Sequence, residues 1–324
     1  MTHCPRIALL CATRRGLLVL QKLAALAPNA RLTVFSFPEE PWEPPFLSDI
    51  RSEAERLGAT FYQGRQVGAE RFRPVWDTPL DLLLAVSWRY LIPEHVRARP
   101  RRGAFVFHDA LLPAYRGFSP TPWAILNGEA ATGVTLFEMA SDVDSGPIVA
   151  QKVVPIGDRD TIADVMAAVT SAYLALLEQF LEPLLAGTAE RKAQDETAAT
   201  YTCKRLPDDN EIDWTAPTAH IFNLIRAATH PYPGAFTWLD GRCVRVWSAH
   251  LLPDYPRYVG RVPGRVIEVQ PGLGVVVLTG DGALRLDGVQ MDGWQEARAD
   301  EVLNRLSFTL GRRSQAVELI GSTP

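Results

Sequence analysis

RIALLCATRRGLLVLQKLAALAPNARLTVFSF, residues 6–37, sets three patterns side by side. Arg6 to Leu10 is a short apolar run, the leucines of LLVLQKLAAL after Gly16 fall on one helical stripe, and Leu32 to Phe37 is again strand-like. Strand, helix, strand is the opening of an α/β unit. SDIRSEAERLGA then reads as an exposed amphipathic helix, and DLLLAVS and AFVFH as buried strands. Alternation of this kind favours a mostly parallel sheet with helices on its faces, so the expected class is α/β with a Rossmann-like domain first.

Past His108 come a proline-glycine loop, a short helix around PWAILNG and two strand-like runs, GVTLFEMA and PIVAQKVVPI. Asp160 to Leu185 is rich in alanine, leucine and methionine and stops at Gly187, as a helix closing the domain would. The polar, small-residue stretch GTAERKAQDETAAT that follows has the composition of a linker. The expected domains are therefore 1–190 and 200–324. In the second, a helix at APTAHIFNLIRAAT precedes AFTWL, Asp240-Gly241 and RCVRVWSAHLL, a strong hairpin signal. GRVIEVQ, GVVVL and ALRLDGVQM add short strands, which points to a small OB-like antiparallel β-barrel.

Hydrophobic residues make up 47% of the chain and charged residues 22%, the make-up of a globular protein. A net charge of −4 argues against a surface built to neutralise many phosphates. Cys4, Cys11, Cys203 and Cys243 are scattered without ligand spacing, so they read as free thiols and no metal is expected. His220, His230 and His250 lack metal spacing as well. MTHCPRIALLCATRRG lacks the features of a secretory signal, and no run is expected to reach the length of a bilayer span. The expected location is cytoplasmic, with no membrane partner.

Glycine-rich nucleotide signatures, HExxH and the nucleophile elbow GxSxG are absent. What remains is His108, at the end of a buried-looking strand, and DVDSG at residues 142–146, which brings Asp142 and Asp144 to a loop. Both stretches fall at strand ends, where sites of open parallel sheets collect. A histidine with a carboxylate partner can work near neutral pH as acid or base. A histidine on an apolar strand can equally be a satisfied core residue, and Asp-Ser-Gly a turn former.

FHDALLPAYRGFSPTPWAILNGEAATGVTLFEMASDVDSGPIVAQ resembles the core of the formyltransferases that use 10-formyltetrahydrofolate, the family of methionyl-tRNA formyltransferase and the sugar N-formyltransferases. LLLAVSWRYLIP, residues 82–93, is similar to the strand and loop bordering the folate site in that family. DDNEIDWTAPTAHIFNLIRAATHPYPGAFTWLDGR is similar to the sugar-modifying branch, so the resemblance spans nearly the whole chain. It implies His108 as the catalytic histidine and Asp144 as its carboxylate partner. It also implies Trp88, Arg89, Tyr90, Leu91 and Asp142 around the folate, with a strand-end packing cluster as the plain alternative for the aromatic residues. Arg116 and Gly117 are candidate substrate contacts by the same resemblance, although an arginine-glycine turn that fixes the loop beside His108 explains them too. Arg14 and Arg15 follow the first strand, where either a phosphate contact or a solvated pair is expected.

The family has an asparagine two positions before the histidine, placed to help hold an oxyanion, and here that position is Val106. One well-placed oxyanion donor is worth about 3 kcal/mol. Asp109 cannot inherit the role, because neighbours along a strand point to opposite faces. Three accounts follow: a slower formyltransferase leaning on His108 and backbone amides, transfer of another one-carbon group such as formimidoyl, or a non-catalytic folate-binding protein. His108 and Asp144 kept in register speak against the third.

The expected reaction is formyl transfer from 10-formyltetrahydrofolate, the donor substrate, to the amine of an amino sugar, nucleotide-linked, or a related small molecule. The alternative acceptor, methionyl-tRNA, needs basic surfaces. Segment 200–324 has Lys204 as its only lysine, although Arg261, Arg265, Arg312 and Arg313 leave a patch open. A homodimer also stays open.

Overall fold

The opening segment folds as β1 (Arg6–Cys11), α1 (Thr13–Leu26) and β2 (Arg31–Ser36) in the computed structural model, which describes residues 4–40 and 43–312. Residues 313–324 of the expected second domain, Arg313 among them, lie outside the described residues. β1 is buried from Ile7 to Cys11 on both faces, as an apolar run without alternation requires of a central parallel strand. The alternation continues through α2 (Leu47–Arg56), β3 (Thr60–Gln63), α3 (Arg73–Trp76), β4 (Leu82–Val86), α4 (Glu94–Arg97) and β5 (Ala104–His108). β6 (Arg116–Gly117), α5 (Pro120–Leu126), β7 (Ala131–Glu138), β8 (Ile148–Pro155), α6 (Ile162–Ala186) and β9 (Tyr201–Thr202) follow.

Seven of these strands make one sheet in the order β3-β2-β1-β4-β5-β7-β8. The first five run parallel, and β7 and β8 are antiparallel additions at the β5 edge. Strand order reverses at β1 and β4, which marks the crevice beyond their carboxyl ends as the place for a ligand. Val86 pairs with Phe107, so the loop leaving β4 emerges beside the end of β5.

Among the described residues one helix is long and apolar enough to cross a membrane by length and composition, against the expectation that no run would reach that length. It is α6, 25 residues with a mean hydropathy of 1.2 over its most apolar stretch. Here its apolar face serves the sheet. Tyr173 is buried, stacks on Phe107 of β5 with ring centroids 5.1 Å apart, and shares its one hydroxyl hydrogen between the Phe107 carbonyl, at 2.9 Å, and the Asp109 carboxylate.

The chain divides into two compact units, one of Met1–Thr121, Ala130–Asp158 and Asp164–Lys204 and the other of Pro122–Glu129, Arg159–Ala163 and Arg205–Pro324. The stretch expected as a linker belongs to the first unit. Lys192 bridges Ile148 at the end of β8, and Tyr201 and Thr202 form β9, which pairs in parallel with Arg116 and Gly117 of β6. Arg191, Gln194 and Glu196 bond other parts of that unit while most of the stretch stays exposed, which is why its composition resembled solvated linker.

The second unit holds α7 (Thr218–Ala228), β10 (Ala235–Leu239), β11 (Arg242–Leu251), β12 (Val266–Gln270), β13 (Gly274–Leu278), β14 (Ala283–Met291), β15 (Ala297–Arg298) and α8 (Ala299–Val302). Its antiparallel ladder runs β10-β11-β14-β13-β12 with β15 on β14, leaving β10 and β12 as its ends among the described residues. Asp240 and Gly241 both have positive φ, 48° and 80°, the two-residue hairpin turn that Asp-Gly favours. Ile221, Phe222, Leu224 and Ile225 of α7 join the core built from the inner residues of these strands.

The end of β5 is pinned from behind the sheet. Asp109 accepts two bonds from Arg15 Nη1, at 2.8 and 2.6 Å, and one from the Tyr173 hydroxyl. Arg15 is 7% exposed, so the expected exposed arginine pair is corrected: only Arg14 faces solvent, while Arg15 also reaches Thr170 of α6 at 3.2 Å. Burial alone would push the Asp109 carboxyl up, but the Arg15 guanidinium and the Tyr173 hydroxyl hold it below its ordinary value of 3.8. Burial, with Asp109 beside it, pushes the Tyr173 phenol well above its own.

Removing Asp109 leaves Arg15 buried without its carboxylate, so Asp109→Ala is expected to destabilise the protein by about 3 kcal/mol near neutral pH. A carboxyl with a lowered folded-state pKa contributes stability above its unfolded value and loses it as pH falls through the folded one. Urea unfolding of both proteins should therefore give a gap that is constant above about pH 5 and narrows below about pH 4. A gap independent of pH would mean that the ion pair is not its source.

Candidate active site

His108 ends β5 and is 8% exposed. Its Nε2 lies 2.8 Å from the Tyr115 carbonyl oxygen. A carbonyl only accepts, so Nε2 carries a hydrogen and, in the neutral ring, Nδ1 holds the lone pair. Nδ1 faces Asp144 Oδ2 at 3.5 Å, which brings together the two residues expected as a catalytic pair. The separation is longer than a direct hydrogen bond, as catalytic contacts often are before a substrate is bound. A proton arriving at Nδ1 meets the carboxylate, so this nitrogen is where the ring can exchange a proton.

Asp144 sits in the left-handed region, with φ of 51°, on the loop between β7 and β8. Its Oδ2 accepts the Gly117 N–H at 2.8 Å, and its own carbonyl accepts Gln194 Nε2 at 2.8 Å. Gly117 is needed for that bond: its φ is 104°, and a Cβ there would come within 2.6 Å of the Thr202 carbonyl oxygen.

Arg116 does not reach toward an acceptor, which corrects the expected substrate contact. It is 1% exposed, with Nη1 and Nη2 on the Glu196 carboxylate at 2.7 and 2.8 Å and Nη2 and Nε on Gln194 Oε1 at 2.8 and 3.2 Å. The bond to Arg116 holds the Glu196 carboxyl below its ordinary value. Arg116 thus ties residues 194–201 to the loop beside His108, and Gly117 contributes its backbone.

Val106 is the one residue of β5 that is half-buried, the others being buried. It shares the His108 face and packs against the cluster that also takes in Trp88, Ile92 and Met139. Trp88, Arg89, Tyr90 and Leu91 leave the end of β4 through Ser87, whose φ is 52°. Trp88 meets Phe37 edge-on at 5.2 Å, and its indole N–H is buried without a hydrogen bond. Arg89 is paired with Glu43 at 2.5 Å and lies over the Phe37 ring. Tyr90 and Leu91, with Arg65, Gln66 and Pro93, line an open groove of about 430 Å³, within the range of small-molecule sites. Asp142 and Val143 are exposed on the Asp144 loop. Among the described residues no cluster of three or more His, Cys, Asp or Glu side chains is arranged to hold a metal ion.

Three contributions escaped the sequence: the Tyr115 carbonyl, the Gln194 amide, and the pairing of Asp109 with Arg15 and Tyr173. The backbone bond has no signature in residue type. For Gln194 the signal was present in QDET but lay in a stretch whose composition resembled a linker.

Comparison with known proteins places residues 51–181 on the family model described as formyl transferase and residues 206–307 on that described as formyl transferase, C-terminal domain. Among solved structures, an N-formyltransferase from Helicobacter canadensis in complex with folinic acid and dTDP-3-aminofucose aligns with a TM-score of 0.63 at 15% identity, over 88% of this chain and 99% of that one. A likely sugar N-formyltransferase from Mycobacterium tuberculosis aligns at 0.59 and 21% identity, over 78% and 100%. HypX from Aquifex aeolicus, in complex with tetrahydrofolic acid, aligns at 0.59 and 20% identity over 93% of this chain and 47% of its own. This chain thus spans about half the length of HypX.

Gly117→Ala is expected to cost roughly 1–3 kcal/mol through strain at a left-handed position. It should also lengthen the 2.8 Å contact between the residue 117 nitrogen and Asp144. A melting curve and a crystal structure of the variant test both, and an unchanged contact would mean that Asp144 is held by other groups.

Proposed function

The chain belongs to the formyl transferase family, and from that premise we propose that it transfers the formyl group of 10-formyltetrahydrofolate to the amine of a small molecule, an amino sugar carried on a nucleotide. The observation that carries this is His108 Nδ1 facing Asp144 Oδ2 at 3.5 Å beside the partly open Val106, at the carboxyl end of β5. A groove for the donor is supported by Tyr90, Leu91 and Pro93, apolar walls for a flat ring system, with Arg65, paired to Glu40 at 3.2 Å, on the same lining. When bound, 10-formyltetrahydrofolate would supply the formyl carbon that the amine nitrogen acquires.

The protein's own contribution is proton handling and position. His108 Nδ1 accepts the proton that the acceptor nitrogen must lose, while Nε2 stays bonded to the Tyr115 carbonyl. Asp144 then faces the charged ring, and the same proton is available to the departing folate nitrogen. Val106 supplies no donor to the formyl oxygen, so the slower formyltransferase is the preferred one of the three accounts.

Support for the sugar acceptor comes from the neighbours whose structures carry dTDP-3-aminofucose or dTDP. No observation of comparable weight favours methionyl-tRNA.

Purified protein, 10-formyltetrahydrofolate and a panel of nucleotide-linked amino sugars should release tetrahydrofolate with at least one sugar. His108→Asn should reduce kcat by about 10²–10⁴-fold while leaving folate affinity unchanged. Absence of tetrahydrofolate with every amine would defeat the formyl-transfer proposal, and full turnover in the variant would remove His108 from the mechanism.

A further inference from the structure

The two nitrogens of His108 face groups on two different loops, and one segment holds both loops. Tyr115, whose carbonyl meets Nε2, lies on a loop bonded to that segment at four backbone points. Thr200 N donates to the Pro113 carbonyl at 3.2 Å, Tyr115 N to Thr200 Oγ1 at 2.9 Å, Arg116 N to the Thr200 carbonyl at 2.8 Å and Phe118 N to the Thr202 carbonyl at 3.1 Å. Asp144, which meets Nδ1, lies on a loop held by the same segment through Gln194. The Gln194 amide donates from Nε2 to the carbonyls of Asp144 and Gly146, at 2.8 and 2.7 Å. Its Oε1 accepts from Arg116 Nη2 at 2.8 Å.

We propose that Gln194 is a positioning residue for the His108–Asp144 pair, setting the Asp144 carboxylate against Nδ1 by tying its loop to the Arg116 side of the site. The proposal deepens the formyl-transfer reading and rests on it. A carboxamide is the group this place requires. It must donate to two carbonyls on one side and accept from a guanidinium on the other, and neither a carboxylate nor an ammonium does both. Asp144 occupies a left-handed backbone conformation, so a loop released from these bonds has a more favourable conformation to relax into. Gly146 shares the restraint: a Cβ there would fall 1.7 Å from the Glu138 carbonyl oxygen, so the chain passes this point against β7 without room for a side chain.

Gln194→Glu keeps the size and the acceptor for Arg116 but removes both donors. It is expected to lower kcat by about 10- to 100-fold, the cost of a displacement near 1 Å at a reacting group, with KM for folate and amine changed by less than about twofold. The imidazole ¹⁵N resonances of His108 should shift in the same variant, because the carboxylate facing Nδ1 has moved. Gln194→Asn, one methylene too short to span both sides, should do the same without adding charge and stands in if the first variant does not fold. Unchanged kcat, a change confined to KM, or unshifted imidazole resonances would overturn the proposal. If the wild-type protein turns over no amine, the formyl-transfer reading has failed, and the imidazole resonances still decide the place of Gln194.

Discussion

Consecutive residues at the end of a strand must point to opposite faces, and the end of β5 commits one residue to each. His108 enters the crevice side and Asp109 the far side, where Arg15 of α1 and Tyr173 of α6 take its carboxylate. Tyr173 bonds the Phe107 carbonyl as well, so the backbone just before His108 is gripped by a helix behind the sheet. The histidine therefore inherits its position from a buried ion pair it does not face. Without that grip, the strand end would be free to fray where the proposed chemistry needs it still.

The other side of the site is organised by a segment with almost no core of its own. Residues 194–202 bury little apolar surface, yet they satisfy backbone groups of two loops that would otherwise wander. Arg116 is what anchors them: a guanidinium at 1% exposure keeps a bidentate carboxylate and a carboxamide in one plane. Removing its charge would strand Glu196 and loosen Gln194 together. A substrate-binding arginine needs an open face, and this one has spent its donors on the scaffold.

The α/β alternation, the antiparallel second domain and the Asp240-Gly241 hairpin were legible in the sequence because each rests on local periodicity or turn chemistry. His108 and Asp144 were reached only through resemblance, since a strand-end histidine and an Asp-Ser-Gly loop have plain structural explanations. The structural roles of Arg15 and Gln194 were out of reach of the sequence for a common reason. Their partners lie 94 and 50 residues away, and a charged or polar side chain looks solvated until its distant partner is seen. α6 failed in the opposite direction: a long apolar helix was discounted as too short, and its composition is explained by Tyr173 and its neighbours lying against the sheet.

Val106 gains meaning from what surrounds it. Across the ladder it faces Ala85 on β4 and Phe137 on β7, neither of which carries a side-chain donor. Thr135, paired with His108, has the nearest hydroxyl in register, but that hydroxyl donates to the Ala110 carbonyl at 2.6 Å and accepts from Leu112 N and Gln151 Nε2. With Nε2 of His108 held on the Tyr115 carbonyl, the ring's exchangeable proton is the one at Nδ1. In the proposed reaction, that proton is asked to relieve charge on the formyl oxygen and also to reach the departing nitrogen. One hydrogen cannot be fully given to both at once, which is the physical ground for the slower transfer proposed above. The proposed transfer then leans on the Asp144 carboxylate being held where a protonated ring needs it, so its rate rests on position more than on the number of donors.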